Sequence, residues 1–373
     1  MRRLFRSMVW LLVLAFVAGC LTWAVLGGGM RLDDRTTAPR LKSSVLEKVA
    51  DLPYPPGNIA VSRDGRVFFT YHPDGQPPSQ VMELKDGEAV PYPNPGFPLY
   101  QTVLALRIDQ QGRLWALDHA HFGRGRPRIM AFDLSTNDLD HRYDFPRDIA
   151  PWLSMLNDFQ VSPDGRHLYI ADASPIRQTP ALVLYDTVEK QSRRVLQGAR
   201  SVRPVDFVIH APGREMTLFG LITLRIGVDS IALDRAGEWL YYGPVNGDRL
   251  YRIATERLRD QSMSPGALNA TVEDFAPKPI SDGLSTDAAG NVYITDPEHN
   301  AIHVLQPDGT LETLVQDARL RWPDGLSFGP DGWLYVTCSA LHQVIMRPPS
   351  AVQEHAPYQI YRVPTGAQAT PGH

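Results

Sequence analysis

The sequence predicts an all-β fold, a six-bladed β-propeller, on three observations. A unit of apolar strand, turn ending in Gly, and aromatic-bearing strand recurs six times. The turn glycines Gly65, Gly112, Gly165, Gly237, Gly290 and Gly332 are spaced 47, 53, 72, 53 and 42 residues apart, and a spacing of about 50 fits one four-stranded blade. The 29 Gly and 32 Pro carry no Gly-X-Y period, which is the composition of a chain with many turns.

The first repeat runs from Asn58 through Arg63-Asp64-Gly65 to Phe68, and the second from Leu104 through Gln111-Gly112 to Trp115. The third runs from Asp158 through Pro163-Asp164-Gly165 to Tyr169, and the fourth from Asp229 through Ala236-Gly237 to Tyr241. The fifth runs from Asp282 through Ala289-Gly290 to Tyr293, and the sixth from Asp324 through Pro330-Asp331-Gly332 to Tyr335. Glycine accepts the positive φ of such turns, and aromatic and β-branched residues suit strands held between neighbouring sheets. Residues 301–306 and 311–315, around Pro307-Asp308-Gly309, read as the outer hairpin of the fifth blade. Residues 128–133 and 181–186 play the same part in the second and third. An open ring would leave an unpaired edge, so residues 44–49 and 358–363 are expected to share a closing blade. Residues 145–156 are expected to hold a short helix, and 203–227 to form a long insertion.

The propeller is thus assigned to residues 44–365, after a leader at 1–30 and a polar linker at 31–43, with a tail at 366–373. Residues 9–30 are 22 in number and carry no charge, enough to span a bilayer as a helix. Arg2, Arg3 and Arg6 precede them, so the positive-inside rule exports the chain beyond residue 30. Val17-Ala18-Gly19-Cys20 also resembles a lipobox, which would lipidate Cys20, and a cleaved signal peptide is the third option. All three place the body outside the cytoplasm, periplasmic or extracellular, and two tether it to the membrane.

The 37 Lys+Arg against 41 Asp+Glu, a formal charge of −4, give no electrostatic case for nucleic acid. Two cysteines, Cys20 and Cys338, exclude a disulfide framework and a thiolate zinc site, and Cys338 reads as a buried thiol. P-loop and HExxH patterns are absent from the sequence.

In each repeat the first strand starts, and the second ends, at the same end of the blade. Two sets therefore converge on one mouth. The leading set is Asn58, Asn157, Asp158, Asp229, Asp282 and Asp324; the trailing set is His72, Asp118, His119, Asp172, Asn246, Asp296, His299 and His342. The second blade breaks the leading pattern with Leu104. Two chemistries fit. Asp and Asn beside strands fix turns by accepting backbone N–H bonds. A ring of oxygen ligands would instead hold Ca²⁺ or another divalent cation, or a cationic small molecule, with Asp229, Asp282 and Asp324 as its centre. His119 and His299 are the candidate proton carriers. The spacing of His119 and His121 puts both imidazoles on one face if that segment is extended.

Several segments occur in a fixed order: Arg66-Val67-Phe68-Phe69-Thr70, Pro91-Tyr92-Pro93-Asn94, Arg107-Ile108-Asp109 with Arg113-Leu114-Trp115-Ala116-Leu117-Asp118, Ala131-Phe132-Asp133-Leu134 then His141-Arg142-Tyr143, Tyr169-Ile170-Ala171-Asp172 and Val183-Leu184-Tyr185-Asp186. Together they resemble the major royal jelly protein/yellow family over residues 57–344. The resemblance implies a six-bladed propeller, usually secreted, in a family linked to dopachrome conversion, to binding of biogenic amines and to non-catalytic roles. Animal members carry disulfides, which a lone exported Cys338 cannot form within the chain, so the sequence resembles a bacterial branch. Pro323-Asp324-Gly325 and Asn157 are similar to ligand motifs of the gluconolactonase/senescence-marker propellers, which implies metal-dependent lactone hydrolysis as an alternative; Asn58 stands where that family has Glu. Asp296-Pro297-Glu298-His299-Asn300-Ala301-Ile302 resembles one NHL-type repeat. A non-catalytic protein-binding propeller is the third reading, though an Asp-rich mouth suits a protein interface poorly.

Overall fold

A computed structural model describes Trp10, Gly19, Cys20, residues 23–330 and residues 332–372. Six four-stranded antiparallel sheets follow one another along these residues. The first blade comprises Pro56–Val61, Val67–Tyr71, Val81–Lys85 and Glu88–Pro91. The second is Val103–Ile108, Arg113–Asp118, Arg128–Asp133 and Leu139–Asp144. The third is Leu156–Val161, His167–Asp172, Ala181–Asp186 and Gln191–Val195. The fourth is Val228–Leu233, Trp239–Pro244, Arg249–Ala254 and Glu273–Pro277. The fifth is Leu284–Thr286, Val292–Asp296, Ala301–Leu305 and Leu311–Gln316. The sixth takes Pro323–Phe328, Trp333–Cys338 and Tyr358–Pro364 from the C-terminal end of the chain and Glu47–Leu52 from the N-terminal end.

The six repeat aromatics occupy the second strands, as their spacing predicts, and the core lies between blades. Trp115, Phe159, Leu168 and Tyr185 form one such layer between the second and third blades. Tyr293, Phe328 and Leu334 form another between the fifth and sixth. Cys338 is buried in that second layer, where burial pushes its thiol up to about 12.

The closing strand lies three residues later than predicted, at 47–52, because Ser43–Val45 forms a 3₁₀ turn. The short helix expected at 145–156 is a run of turns instead. Pro146 and Pro151 interrupt that segment, and Leu153 is left-handed at φ 65°, so no helical ladder can run through it. The leader prediction falls largely outside the described residues, as does Asp331 of the sixth turn. Among the described residues no helix is long and apolar enough to cross a membrane.

Three accessory segments finish the molecule. Residues 203–227 form two small hairpins, His210–Ala211 with Arg214–Glu215 and Thr217–Leu218 with Ile222–Thr223, which fold over the mouth and pack Ile209 and Met216 with Trp322 and Leu341. The linker lies along the outer strand of the fifth blade, where Arg40 and Leu41 N–H donate to the carbonyls of Thr313 and Leu314 at 2.9 and 2.8 Å. The tail crosses the opposite end of the channel: Ala288 N–H donates to Gln368 O at 2.7 Å, and Thr370 sits among Gln110, Val161 and Leu233.

The first strands of adjacent blades contact one another around the axis. In five of them the pairing register slips at the mouth end: between Pro56 and Ile59, Val103 and Ala105, Leu156 and Phe159, Val228 and Ser230, and Pro323 and Leu326. A bulge re-aims the side chains it carries, and these bulges contain the leading positions except Asp282, which precedes the fifth blade's first strand. Thr70, Thr295 and Thr337 of the second strands hold the displaced backbone, accepting the N–H of Asn58, Gly283 and Gly325 at 2.9, 2.8 and 2.9 Å. At Gly283 a Cβ would lie 1.9 Å from the Asp324 carbonyl oxygen, so glycine is what lets the fifth and sixth blades meet at the axis.

Candidate functional site

The bulges open into a cavity of about 350 Å³ at the mouth. All six leading residues line it: Asn58, Asn157, Asp158, Asp229, Asp282 and Asp324. The second blade, which offers no acid, contributes Arg107 instead. This guanidinium is buried, donating to Asp158 Oδ2 at 2.7 Å, Asn58 Oδ1 at 2.6 Å and Leu106 O at 2.7 Å. Arg107 neutralises Asp158. Sequence reasoning missed it, although an Arg within the apolar strand Val-Leu-Ala-Leu-Arg-Ile was a visible signal.

The other three carboxylates have no cationic partner among the described residues. Asn157 Nδ2 donates to Asp229 Oδ1. Trp322, held left-handed at φ 53°, donates its indole N–H to Asp282 Oδ2 at 2.6 Å. Burial raises the Asp229 carboxyl well above its usual range, and the Asp282 charge adds to this. Burial raises Asp324 likewise, with Asp282 and Asp229 both contributing. Asp282 is pushed up to about 6, again mainly by burial. The three share their protons rather than titrating independently. Among the described residues no three His, Cys, Asp or Glu side chains come together as a metal site.

The trailing set divides. His72 and His119 line the cavity. His119 Nδ1 accepts the Phe122 N–H at 3.0 Å, and His72 Nδ1 accepts the Asp74 N–H at 3.3 Å. Each ring therefore carries its proton on Nε2 when neutral. Burial lowers His119 to about 3, and its buried Nε2 has no partner within the protein. It presents a neutral hydrogen-bond donor to the cavity. His121 does not share its face: Ala120, His121 and Phe122 are left-handed, at φ 49°, 55° and 58°, so the segment is a tight turn rather than extended. His121 faces out, against Thr102 Oγ1 at 2.7 Å, while Phe122 joins the cavity wall.

Asp118, Asp172 and Asp296 lie outside the cavity lining and hold backbone. Asp118 accepts the N–H groups of Gln101, Thr102 and Ala120 at 2.7, 2.8 and 2.8 Å. Asp172 accepts from Met155 N–H and pairs with Arg194 at 2.7 Å. Asp296 accepts Glu298 N–H at 3.0 Å and holds His299 and His303 at 2.9 and 3.1 Å. His299 sits in a separate hollow with Arg31 and Asp34, where the Asp296 hydrogen bond raises its pKa. Asn246 ties the insertion down through Phe207 O, Leu224 O and Ile226 N–H. His342 stacks on Trp322.

Above the acidic floor the walls are apolar: Ile176, Met216, Leu218, Ile226, Leu341 and Met346 among them. Cys20 is exposed and free.

Among solved structures, the fold is similar to regucalcin from Agrobacterium tumefaciens, described as a calcium-binding protein, at 12% identity over 90% of this chain and 98% of that one, with a TM-score of 0.60. It is also similar to a gluconolactonase from Xanthomonas campestris, at 13% identity over 86% and 88% of the two chains, with a TM-score of 0.54. At these identities the likeness is one of fold. Among curated proteins, Major royal jelly protein 1 of Apis mellifera is 26% identical over 262 residues, 60% of this chain and 58% of that protein. The chain thus spans somewhat over half the length of that relative. The sequence profile described as Major royal jelly protein matches residues 101–360, from just before the second blade's first strand into the last strand of the sixth, and the chain therefore belongs to the major royal jelly protein family.

Proposed function

We propose that the protein binds a small amphipathic cation, an aromatic or amine-bearing molecule, in the mouth cavity. One observation carries this reading: three carboxylates, Asp229 buried and Asp282 and Asp324 half-buried, lie beneath apolar walls without a cationic partner among the described residues. Like charges so placed are relieved by a proton or a cation. An alkylammonium supplies the charge, and its apolar body fits the walls. His119 then donates from Nε2 to an oxygen of the ligand. In a dopachrome-conversion type of reaction a neutral imidazole would polarise a carbonyl in this way. Asp282, at about 6, has the proton affinity of a general base working near neutral pH. We place the body outside the cytoplasm, on the strength of Arg2, Arg3 and Arg6 ahead of the uncharged run.

Calcium is the competing occupant, suggested by the regucalcin likeness. The residues favour the amine. Asp229 and Asp282 already accept from Asn157 and Trp322, and a hard divalent ion wants six to eight converging oxygens. Thermal unfolding tests the two. Phenethylamine at about 100 times its Kd adds about 2.7 kcal/mol to the native state and raises Tm, whereas Ca²⁺ leaves it unchanged. A rise with Ca²⁺ and none with the amine would replace this reading with the metal-dependent one.

A further inference from the structure

We propose that the mouth face of the propeller docks on an anionic lipid surface, with the Thr217–Thr223 hairpin tip entering the interface. The inference does not depend on what fills the cavity. Among the segments that rim the mouth, four, at residues 119–127, 173–180, 216–227 and 339–349, each supply residues to the cavity wall. Together they contain five arginines, Arg124, Arg126, Arg177, Arg225 and Arg347, and neither Asp nor Glu, in a chain whose formal charge is −4. Arg126 and Arg225 have carboxylate neighbours in Asp144 and Asp206; Arg124, Arg177 and Arg347 form no salt bridge among the described residues. The same segments expose large apolar side chains: Phe219 is 82% exposed, Met346 60% and Ile176 51%. Two of these sit directly beside an arginine, in Ile176-Arg177 and Met346-Arg347. Exposed apolar residues interleaved with arginine match the boundary of an anionic bilayer, where the side chain enters the acyl edge and the guanidinium meets headgroup phosphate.

The path of the chain points the same way. The uncharged run at residues 9–30 reaches the propeller at this face. Thr223 Oγ1 donates to Gly28 O at 2.6 Å, Arg225 donates to Leu26 O at 2.8 Å, and Met30 bridges to Phe207 in parallel. A Cβ on Gly27 would lie 2.6 Å from Leu221 O, so the incoming backbone is pressed against the hairpin. The part of the run ahead of Leu26, if embedded in a bilayer, would hold the mouth against it. Acidic residues also lie at this face: Asp74 of the first blade's loop is exposed, Glu215 of the insertion lies 3.3 Å from His210, and in the fifth blade's loop Glu298 accepts His210 N–H at 2.6 Å while His299 faces Asp34.

The test uses the full chain on vesicles of phosphatidylglycerol and phosphatidylcholine. A photoreactive benzophenone side chain replaces Phe219, Ile176 or, as the control, Asp308 in the turn at the opposite end of the fifth blade. All three positions are exposed, so folding is preserved. The expected result is lipid adducts by mass spectrometry at 219 and 176 and not at 308. The yield should fall several-fold in Arg177→Glu with Arg347→Glu, and on neutral vesicles, as loss of lipid–arginine attraction requires. Equal adducts at all three positions, absence of lipid adducts at 219 and 176, or adducts at 219 to a second copy of the chain would overturn the proposal.

Discussion

At the scale of single residues, the mouth is governed by where charge is paired. Arg107 is buried against Asp158 and Asn58. Arg107→Met strands the Asp158 carboxylate, and removing one partner of a buried pair costs about 3–5 kcal/mol. Denaturant unfolding should show that loss, and Asp158→Asn added to it should restore part. Asp282 gives a pH signature. Its native pKa is raised above the unfolded value, so its stabilising contribution is full below the unfolded pKa. That contribution is lost as pH rises through about 6. Relative to wild type, Asp282→Asn should therefore gain stability as pH goes from 4 to 7. A flat difference in Tm across that range would mean the carboxyl is not strained by burial. The acids of the leading set were legible in the sequence, because they recur at the same place in each repeat. Arg107 was not, because its role depends on a neighbour 51 residues away. The tautomer of His119 depends on a backbone N–H that only the folded turn supplies.

At the scale of elements, strand order and the six turns could be read from glycine spacing and aromatic placement. The bulges could not. A bulge adds one residue to a strand without altering its hydrophobic character, so alternation in the sequence does not reveal it. Yet the bulge decides which side chains face the axis. It explains why Asp158, Asp229 and Asp324 line the cavity while the trailing Asp118, Asp172 and Asp296 hold loops. The left-handed run at 120–122 escaped for a similar reason, since none of its residues is glycine. Gly283→Ala tests the close approach of the fifth and sixth blades at the axis. Its Cβ cannot fit beside the Asp324 carbonyl, and overpacking of this kind typically costs about 1–3 kcal/mol. The variant should unfold at lower denaturant and bind phenethylamine more weakly, because Asp282 and Asp324 flank the displaced backbone. Wild-type affinity and stability together would show that the two blades do not meet as described.

At the scale of the whole molecule, the ring is closed by strands from both ends of the chain, the far end of the channel is crossed by the tail, and the mouth is walled by the insertion. Closure was legible because a propeller must have it. The use of residues 31–43 and 366–372 as packed segments was not, because their composition is that of a loop. This architecture leaves the mouth as the route to the carboxylates, under apolar walls, and sets up a comparison of two nearly isosteric ligands. Calorimetric titration with phenethylamine and with 2-phenylethanol, from pH 5 to pH 8, separates charge from shape. An alkylammonium stays protonated throughout that range, since such amines titrate near 10, so any pH dependence belongs to the protein. The amine is expected to bind at least about tenfold more tightly than the alcohol, a difference of about 1.4 kcal/mol. Amine affinity should rise with pH as Asp229, Asp282 and Asp324 ionise, and Asp282→Asn with Asp324→Asn should remove the preference. Equal affinities for the two ligands, or an amine affinity that does not change with pH, would contradict the proposed binding.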